Sequence, residues 1–75
     1  MNYSQAIEKL RNNHIYPVVQ KEIGKDNKER IIGLEVQCNS LTFQSRKEHI
    51  ENVLGKGWKV DWMGANHDYI LITNK

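Results

Sequence analysis

The side chains best suited to chemistry are three histidines and one cysteine, and none of them stands in a recognisable catalytic or metal-binding spacing. His14, His49 and His67 are far apart in the chain, and Cys38 has no second cysteine to pair with. Metal and redox sites use closely spaced ligands such as CxxC or HExxH, and neither motif occurs here. The sequence therefore predicts no metal ion and no cofactor. We expect Cys38 to lie in the core and the histidines to lie at a helix end, on a helix surface and in a turn.

A second group of candidate residues is basic. Arg46 and Lys47 are predicted in the first turn of a helix, where the helix dipole disfavours cations and the free amides attract phosphate. The two cations could simply pair with Glu48, Glu51 or solvent. Alternatively, basic side chains beside an aromatic ring could follow a nucleic-acid backbone, which gives a nucleic-acid-binding module as the alternative function. The residues of this alternative are Arg46, Lys47, Lys56, Trp58 and Lys59.

The C-terminal segment gives the best enzymatic candidate. From Leu54 to Ile72 the chain predicts a helix end, a glycine-aromatic break and a strand, followed by Gly64-Ala65-Asn66-His67 before another strand. This order is similar to that of the HicA family of toxin ribonucleases, which carry a histidine on a short α-β-β module. The family has Gly-Ser-His, so this chain has one extra residue between the glycine and the histidine. The N-terminal half of this chain has no counterpart in the family. The resemblance implies that His67 acts as a general base on a 2′-hydroxyl, with Lys56 and Lys59 nearby.

Hydrophobic periodicity predicts the elements that would position these residues in the first half of the chain. A helix is predicted from the apolar face Tyr3, Ala6, Ile7, Leu10 and His14. Asn2 and Gln5 form a capping box at its start, and Asn12-Asn13 ends it. Two strands follow, Ile15 to Ile23 and Arg30 to Cys38, joined as a hairpin by a polar loop. The second strand alternates a buried set, Ile32, Leu34, Val36 and Cys38, against Ile31, Gly33, Glu35 and Gln37.

The second half repeats this order. Ser45 and Glu48 form a predicted capping box for a second helix, whose apolar stripe is Ile50, Val53 and Leu54 and whose end is Gly55-Lys56-Gly57. Two strands follow, with Trp58, Val60 and Trp62 on one face of the first and Tyr69 to Thr73 as the second. The sequence thus predicts one α+β domain over residues 1–75, a two-layer α-β-β-α-β-β fold with both helices on one face. Its antiparallel sheet has four strands, or five if Leu41 to Phe43 forms a strand.

Two helices can cover only one face of such a sheet. The final strand is apolar on both sides, whereas a half-exposed antiparallel strand normally alternates with polar residues. Either loops fold over this strand, or its outer face is an interface, because large exposed apolar patches are uncommon on soluble monomers. We predict a small non-enzymatic interaction protein that binds a protein partner or its own copy through the open face. The predicted contact residues are Tyr16, Val18, Ile31, Met63, Tyr69 and Leu71.

Length and composition exclude several classes of protein. A chain of 75 residues has room for one small core, which excludes a bilobal enzyme. A hydrophobic content of 39% and a charged content of 27% are typical of a folded domain. The net charge of +2 is mild for a dedicated nucleic-acid binder. With a lone cysteine, no apolar run long enough for a membrane span and no recognisable export signal, we expect a cytoplasmic protein without a membrane partner.

Overall fold

Two α-β-β units follow each other along the chain in the computed structural model, which describes residues 1–64 and 68–74. The elements are α1 (Tyr3–Asn12), β1 (Val18–Ile23), β2 (Glu29–Gln37), α2 (Phe43–Leu54), β3 (Trp58–Met63) and β4 (Tyr69–Asn74). The strands form one antiparallel four-stranded sheet in the order β1-β2-β4-β3, so the second strand of each hairpin lies in the middle. The predicted α+β class is confirmed, and the helix contacts are consistent with both helices packing on one face.

The predicted start of α1 is confirmed. The Asn2 side chain accepts a hydrogen bond from the Gln5 amide at 2.9 Å, and the Gln5 side chain accepts one from the Asn2 amide at 2.9 Å. The helix ends at Asn12, as predicted, but the left-handed residue that turns the chain is His14, with φ of 61°. The Ile15 amide then donates to the carbonyl of Leu10 at 2.8 Å, which returns Ile15 to the core.

The predicted start of α2 is three residues too late, since the cap is Thr42 and not Ser45, and the predicted fifth strand is absent from the described residues. The Asn39 side chain accepts hydrogen bonds from the amides of Leu41 and Thr42, at 3.0 and 3.1 Å, and so closes a turn in place of the possible fifth strand. The helix therefore begins at Phe43, and the Ser45 hydroxyl donates to the Thr42 carbonyl at 3.1 Å without capping the helix. The predicted glycine stop after Leu54 is confirmed by positive φ angles at Gly55 and Gly57.

The core lies between the helices and one face of the sheet. The central strands meet there through the cross-strand pairs Leu34 with Ile72 and Val36 with Ile70, all of them buried. The predicted placement of Trp58 and Val60 in the core is confirmed, and Trp62 packs against its edge. The rest of the buried cluster comes from the helices and the segment after α1: Ala6, Leu10, Ile15, Ile50 and Leu54.

A β-bulge in β2 reverses the predicted faces of two isoleucines. Gln20 pairs with Gly33 and Lys21 pairs with Ile31, so Ile32 is an extra residue without a partner on β1. Because side chains alternate between faces, the extra residue brings Ile31 to the helix side, where it packs against the core, and leaves Ile32 48% exposed. The prediction that Ile31 lies on the open face is therefore wrong, as is the prediction that Ile32 is buried.

The Tyr3 hydroxyl joins the two central strands beside this bulge. Continuing the β2–β4 register by two residues would bring Ile32 opposite Asn74, but no direct ladder bond forms there. Instead the Asn74 amide donates to Tyr3 Oη at 3.0 Å, and Tyr3 Oη donates to the Ile32 carbonyl at 3.4 Å. The ring of Tyr3 also packs edge-on against Trp58, with centroids 5.3 Å apart. One side chain of α1 therefore bridges the end of the β2–β4 ladder.

We expect Tyr3→Phe to lower the free energy of unfolding by about 1 kcal/mol, because it removes both hydrogen bonds and keeps the ring. Urea unfolding measures this loss, and amide hydrogen exchange should show faster exchange at Asn74. Tyr16→Phe is the matched control, since Tyr16 is 68% exposed, and its unfolding free energy should change by less than about 0.5 kcal/mol. Equal effects of the two substitutions would contradict the bridging role of Tyr3.

Candidate interaction surface

The open face is the side of the sheet opposite the helices, and the strand register places its side chains in rows. One row crosses all four strands as Val18, Glu35, Leu71 and Asp61. The next row has Gln37, Tyr69 and Met63 on the three strands that continue. Tyr16, two residues before Val18, borders a small depression of 260 Å³ together with Val18, Glu35 and Gln37. We call Tyr16, Val18, Met63, Tyr69 and Leu71 the open-face patch.

Leu71 is the centre of the open-face patch, and Gly33 makes room for it. A Cβ atom added to Gly33 would lie 3.0 Å from Leu71 Cδ1, so the leucine side chain leans over the glycine. Leu71 and Tyr69 are half-buried, Val18 is 56% exposed and Met63 is 38% exposed. The open-face patch is therefore a flat apolar surface that remains partly exposed to solvent.

Two carboxylates flank Leu71. Glu35 stands between Val18 and Leu71 and accepts a hydrogen bond from the Gln20 side chain. Asp61 stands on the other side and forms an ion pair with Lys59 at 3.7 Å, the lysine being exposed and the aspartate half-buried. The centre of the open face therefore carries two negative charges and one positive charge around an apolar residue. This acidic frame of Leu71, formed by Glu35 and Asp61, has no signature in the sequence, because only the strand register makes both residues neighbours of Leu71.

A shallow groove of 680 Å³ adjoins the patch at the end of β2 and the start of β4. The Cys38 amide donates to the Asp68 carbonyl at 3.0 Å and so extends the contact between these strands. The side chains lining the groove are mainly polar: Glu35, Gln37, Cys38, Asn39, Thr42, Arg46, Asp68 and Tyr69. Tyr69 belongs to both surfaces, so the groove and the open-face patch are continuous.

Cys38 is held as a thiol in this groove. Burial raises the pKa of the Cys38 thiol, the Arg46 guanidinium acts in the opposite direction, and the Asp68 carboxylate raises the pKa further. The thiolate is the nucleophilic form of cysteine. A raised pKa and partial packing against the core therefore fit the structural role predicted for Cys38.

The residues of the nucleic-acid alternative do not come together on one surface. Arg46 lies at the groove, and Lys56 lies beyond the other end of α2, a separation of roughly 15 Å along the helix. Lys47 is half-buried. Trp58 is only 6% exposed and packs against Tyr3, so its ring is not available to stack on a base. Lys59 lies on the open face, paired with Asp61.

The remaining chemistry-bearing residues form no cluster in the described part of the chain. Within residues 1–64 and 68–74, no group of three His, Cys, Asp or Glu side chains is placed to hold a metal ion. His14 follows α1, and His49 is exposed on α2. His67, the residue of the ribonuclease resemblance, lies outside the described residues.

Comparison with known proteins returns no relative. No family model, curated protein or solved structure matches the chain. The resemblance of residues 54–72 to HicA ribonucleases therefore stays a prediction. Neither described helix is long and apolar enough to cross a membrane.

We expect the alkylation rate of Cys38 by iodoacetamide to have its midpoint at a higher pH than in the urea-unfolded protein, because burial disfavours the thiolate. Arg46→Ala should move the midpoint further up, since the guanidinium favours the thiolate. Asp68→Asn should move it down. The midpoint of the pH profile reports the pKa separately from solvent access, which scales only the rate. Shifts in the same direction for the two variants would contradict this account of the groove.

Proposed function

We propose that this protein is a non-enzymatic interaction module whose open-face patch binds a protein segment that is apolar in its centre and basic at its flanks. The observation that carries the proposal is the position of Leu71 and Tyr69, which lie on a central strand, on the side away from the helices, beside exposed Val18 and Met63. A central strand with a solvated outer face normally presents polar residues there. Partly buried apolar residues rimmed by polar ones are typical of interfaces.

Charge favours a protein partner over a nucleic acid on this face. Glu35 and Asp61 flank Leu71, and the adjoining groove adds one residue of each charge, Asp68 and Arg46. The two carboxylates beside Leu71 repel phosphate and attract lysine or arginine side chains. Lys59 is already paired with Asp61. A partner with basic residues at either side of an apolar anchor would complement this surface.

The same charges disfavour face-to-face packing of two copies through the patch. In such a dimer, the carboxylates beside Leu71 in one copy would approach those of the other copy in a partly dehydrated interface. Burying like charges is costly, and the ion pair of Asp61 with Lys59 offsets only part of this cost. The sequence predicts either a protein partner or a second copy on the open face, and these charges favour a different protein.

The patch is tested by selecting binders from a random-peptide phage library on the immobilised protein. Selected peptides should combine apolar residues with lysine or arginine and should shift the amide resonances of β4 and the start of β1. Val18→Asp should weaken their binding roughly tenfold or more, because it places a charge in the apolar contact. Ile23→Asp is the matched control, being a similarly exposed residue of the same strand on the other face.

Three outcomes would contradict this proposal. The first is selected peptides that bind Val18→Asp as tightly as the unmodified protein. The second is resonance shifts that lie on the helix layer and disappear in Arg46→Glu/Lys47→Glu, particularly with oligonucleotides, which would favour the nucleic-acid alternative. The third is cleavage of RNA that is lost in His67→Ala, which would favour the ribonuclease.

A further inference from the structure

The strand β3 is an edge of the sheet with a self-complementary charge pattern. It pairs with β4 on one side, and no other described strand pairs with its outer side. Its backbone amides and carbonyls on that side are therefore open to a further strand. Along β3, Trp58, Val60 and Trp62 point to the helix side, while Lys59 and Asp61 point to the open face.

We infer that β3 pairs antiparallel with β3 of a second copy of this chain. In the register that places Val60 opposite Val60 of the second copy, Lys59 stands opposite Asp61 of the second copy, and Asp61 opposite its Lys59. Two reciprocal ion pairs thus replace the internal pair, which is 3.7 Å long. Directly opposed charges of opposite sign stabilise antiparallel strands, and charges of the same sign destabilise them.

No other register of this strand has the same property. In a symmetric antiparallel pair, the helices of both copies lie on the same side of the joined sheet only if the register changes in steps of two residues. The neighbouring steps place either Lys59 opposite Lys59 or Asp61 opposite Asp61 of the second copy. The register with both ion pairs also pairs all of residues 58–62, so the best charge match coincides with extensive strand overlap.

The other edge of the sheet lacks this pattern. On β1 the opposite charges are Lys21 and Glu22, which are consecutive and therefore lie on opposite faces. A symmetric pair of β1 strands cannot bring them opposite each other in any register that conserves the faces. Pro17, directly before β1, also removes one backbone donor near this edge. Charge complementarity therefore selects β3.

The helix side of β3 adds an apolar contribution. In the inferred register, Trp58 of one copy stands opposite Trp62 of the other. Trp62 is half-buried and stacked on Phe43, with ring centroids 4.8 Å apart, so a second copy would cover part of this aromatic pair. Pairing along one short strand buries less area than an obligate dimer does, and the association is accordingly concentration-dependent.

Self-association through β3 extends the proposed function without depending on it. Two four-stranded sheets joined at β3 form one continuous sheet with both open-face patches on the same side. The dimer would therefore present two partner sites related by a two-fold axis. Binding at two linked sites strengthens overall attachment to a bivalent partner.

The pairing is tested with two charge-reversal variants, Lys59→Asp and Asp61→Lys. The two side chains are 63% and 45% exposed, so the fold should survive, which circular dichroism checks. Each variant alone places like charges opposite each other and should dimerise at least roughly tenfold more weakly than the unmodified protein. An equimolar mixture should recover dimerisation, because both carboxylates on β3 of the first variant then stand opposite lysines on β3 of the second. Sedimentation velocity over a concentration range measures all four samples.

The controls separate this inference from the open-face proposal. Lys21→Glu changes a charge on the other edge and should leave dimerisation unchanged, as should Val18→Asp. The inference is overturned if the unmodified protein stays monomeric at its highest soluble concentration. It is also overturned if either reversal variant dimerises normally, or if mixing the variants recovers nothing. Peptide binding to the open-face patch can persist in any of these results, so the two proposals fail separately.

Discussion

The pairing of β2 with β4 is the constraint on which the rest of this structure depends. Each hairpin closes locally, but only the contact between Leu34–Gln37 and Tyr69–Ile72, with the packing of the helices, joins the two α-β-β units. On the helix side this pairing brings Leu34 against Ile72 and Val36 against Ile70, which forms the middle of the core. On the other side it brings Glu35 beside Leu71. The core and the candidate interaction surface are therefore two faces of the same four residue pairs, and a register slip would destroy both.

The end of this pairing is set by a second contact, between α1 and the sheet. The bulge at Ile32 interrupts the regular ladder, and the Tyr3 hydroxyl takes the place of a direct hydrogen bond between Asn74 and Ile32. It accepts from the Asn74 amide and donates to the Ile32 carbonyl. Beyond this point β1 and β2 continue as a two-stranded hairpin, held on its surface by ion pairs such as Lys21 with Glu29. The four-stranded part of the sheet, and with it the open-face patch, is thereby confined to the end where β2 stops and β4 starts.

The sequence predicted the elements well where a local pattern determines them. The capping box of α1, the stripe of α2 and the shared face of the two tryptophans all depend on residues within one turn or one strand. The sequence predicts the wrong face for Ile31, because a bulge shifts the alternation of side chains by one residue and has no recognisable pattern within an apolar run. The sequence predicts the wrong cap at Ser45, because Asn39, six positions earlier, accepts hydrogen bonds from the amides of the turn before the helix. The acidic frame of Leu71 depends on which strands become neighbours, and alternation within single strands carries no such information.

Charges at a sheet edge generally keep strands apart, because an unpaired ammonium or carboxylate opposite an apolar side chain loses hydration without compensation. Lys59 and Asp61 act in this way toward a strand that lacks opposite charges at the matching positions. Toward a second copy of β3 the same two residues are complementary. In the inferred pairing, the edge would thus discourage general aggregation and accept one specific partner. Val18 and Leu71 on the open face are apolar and carry no charge, so specificity on that face must come from the carboxylates around them. With the proposed function and the inferred pairing, one small sheet would therefore offer two surfaces that recognise different partners by different means.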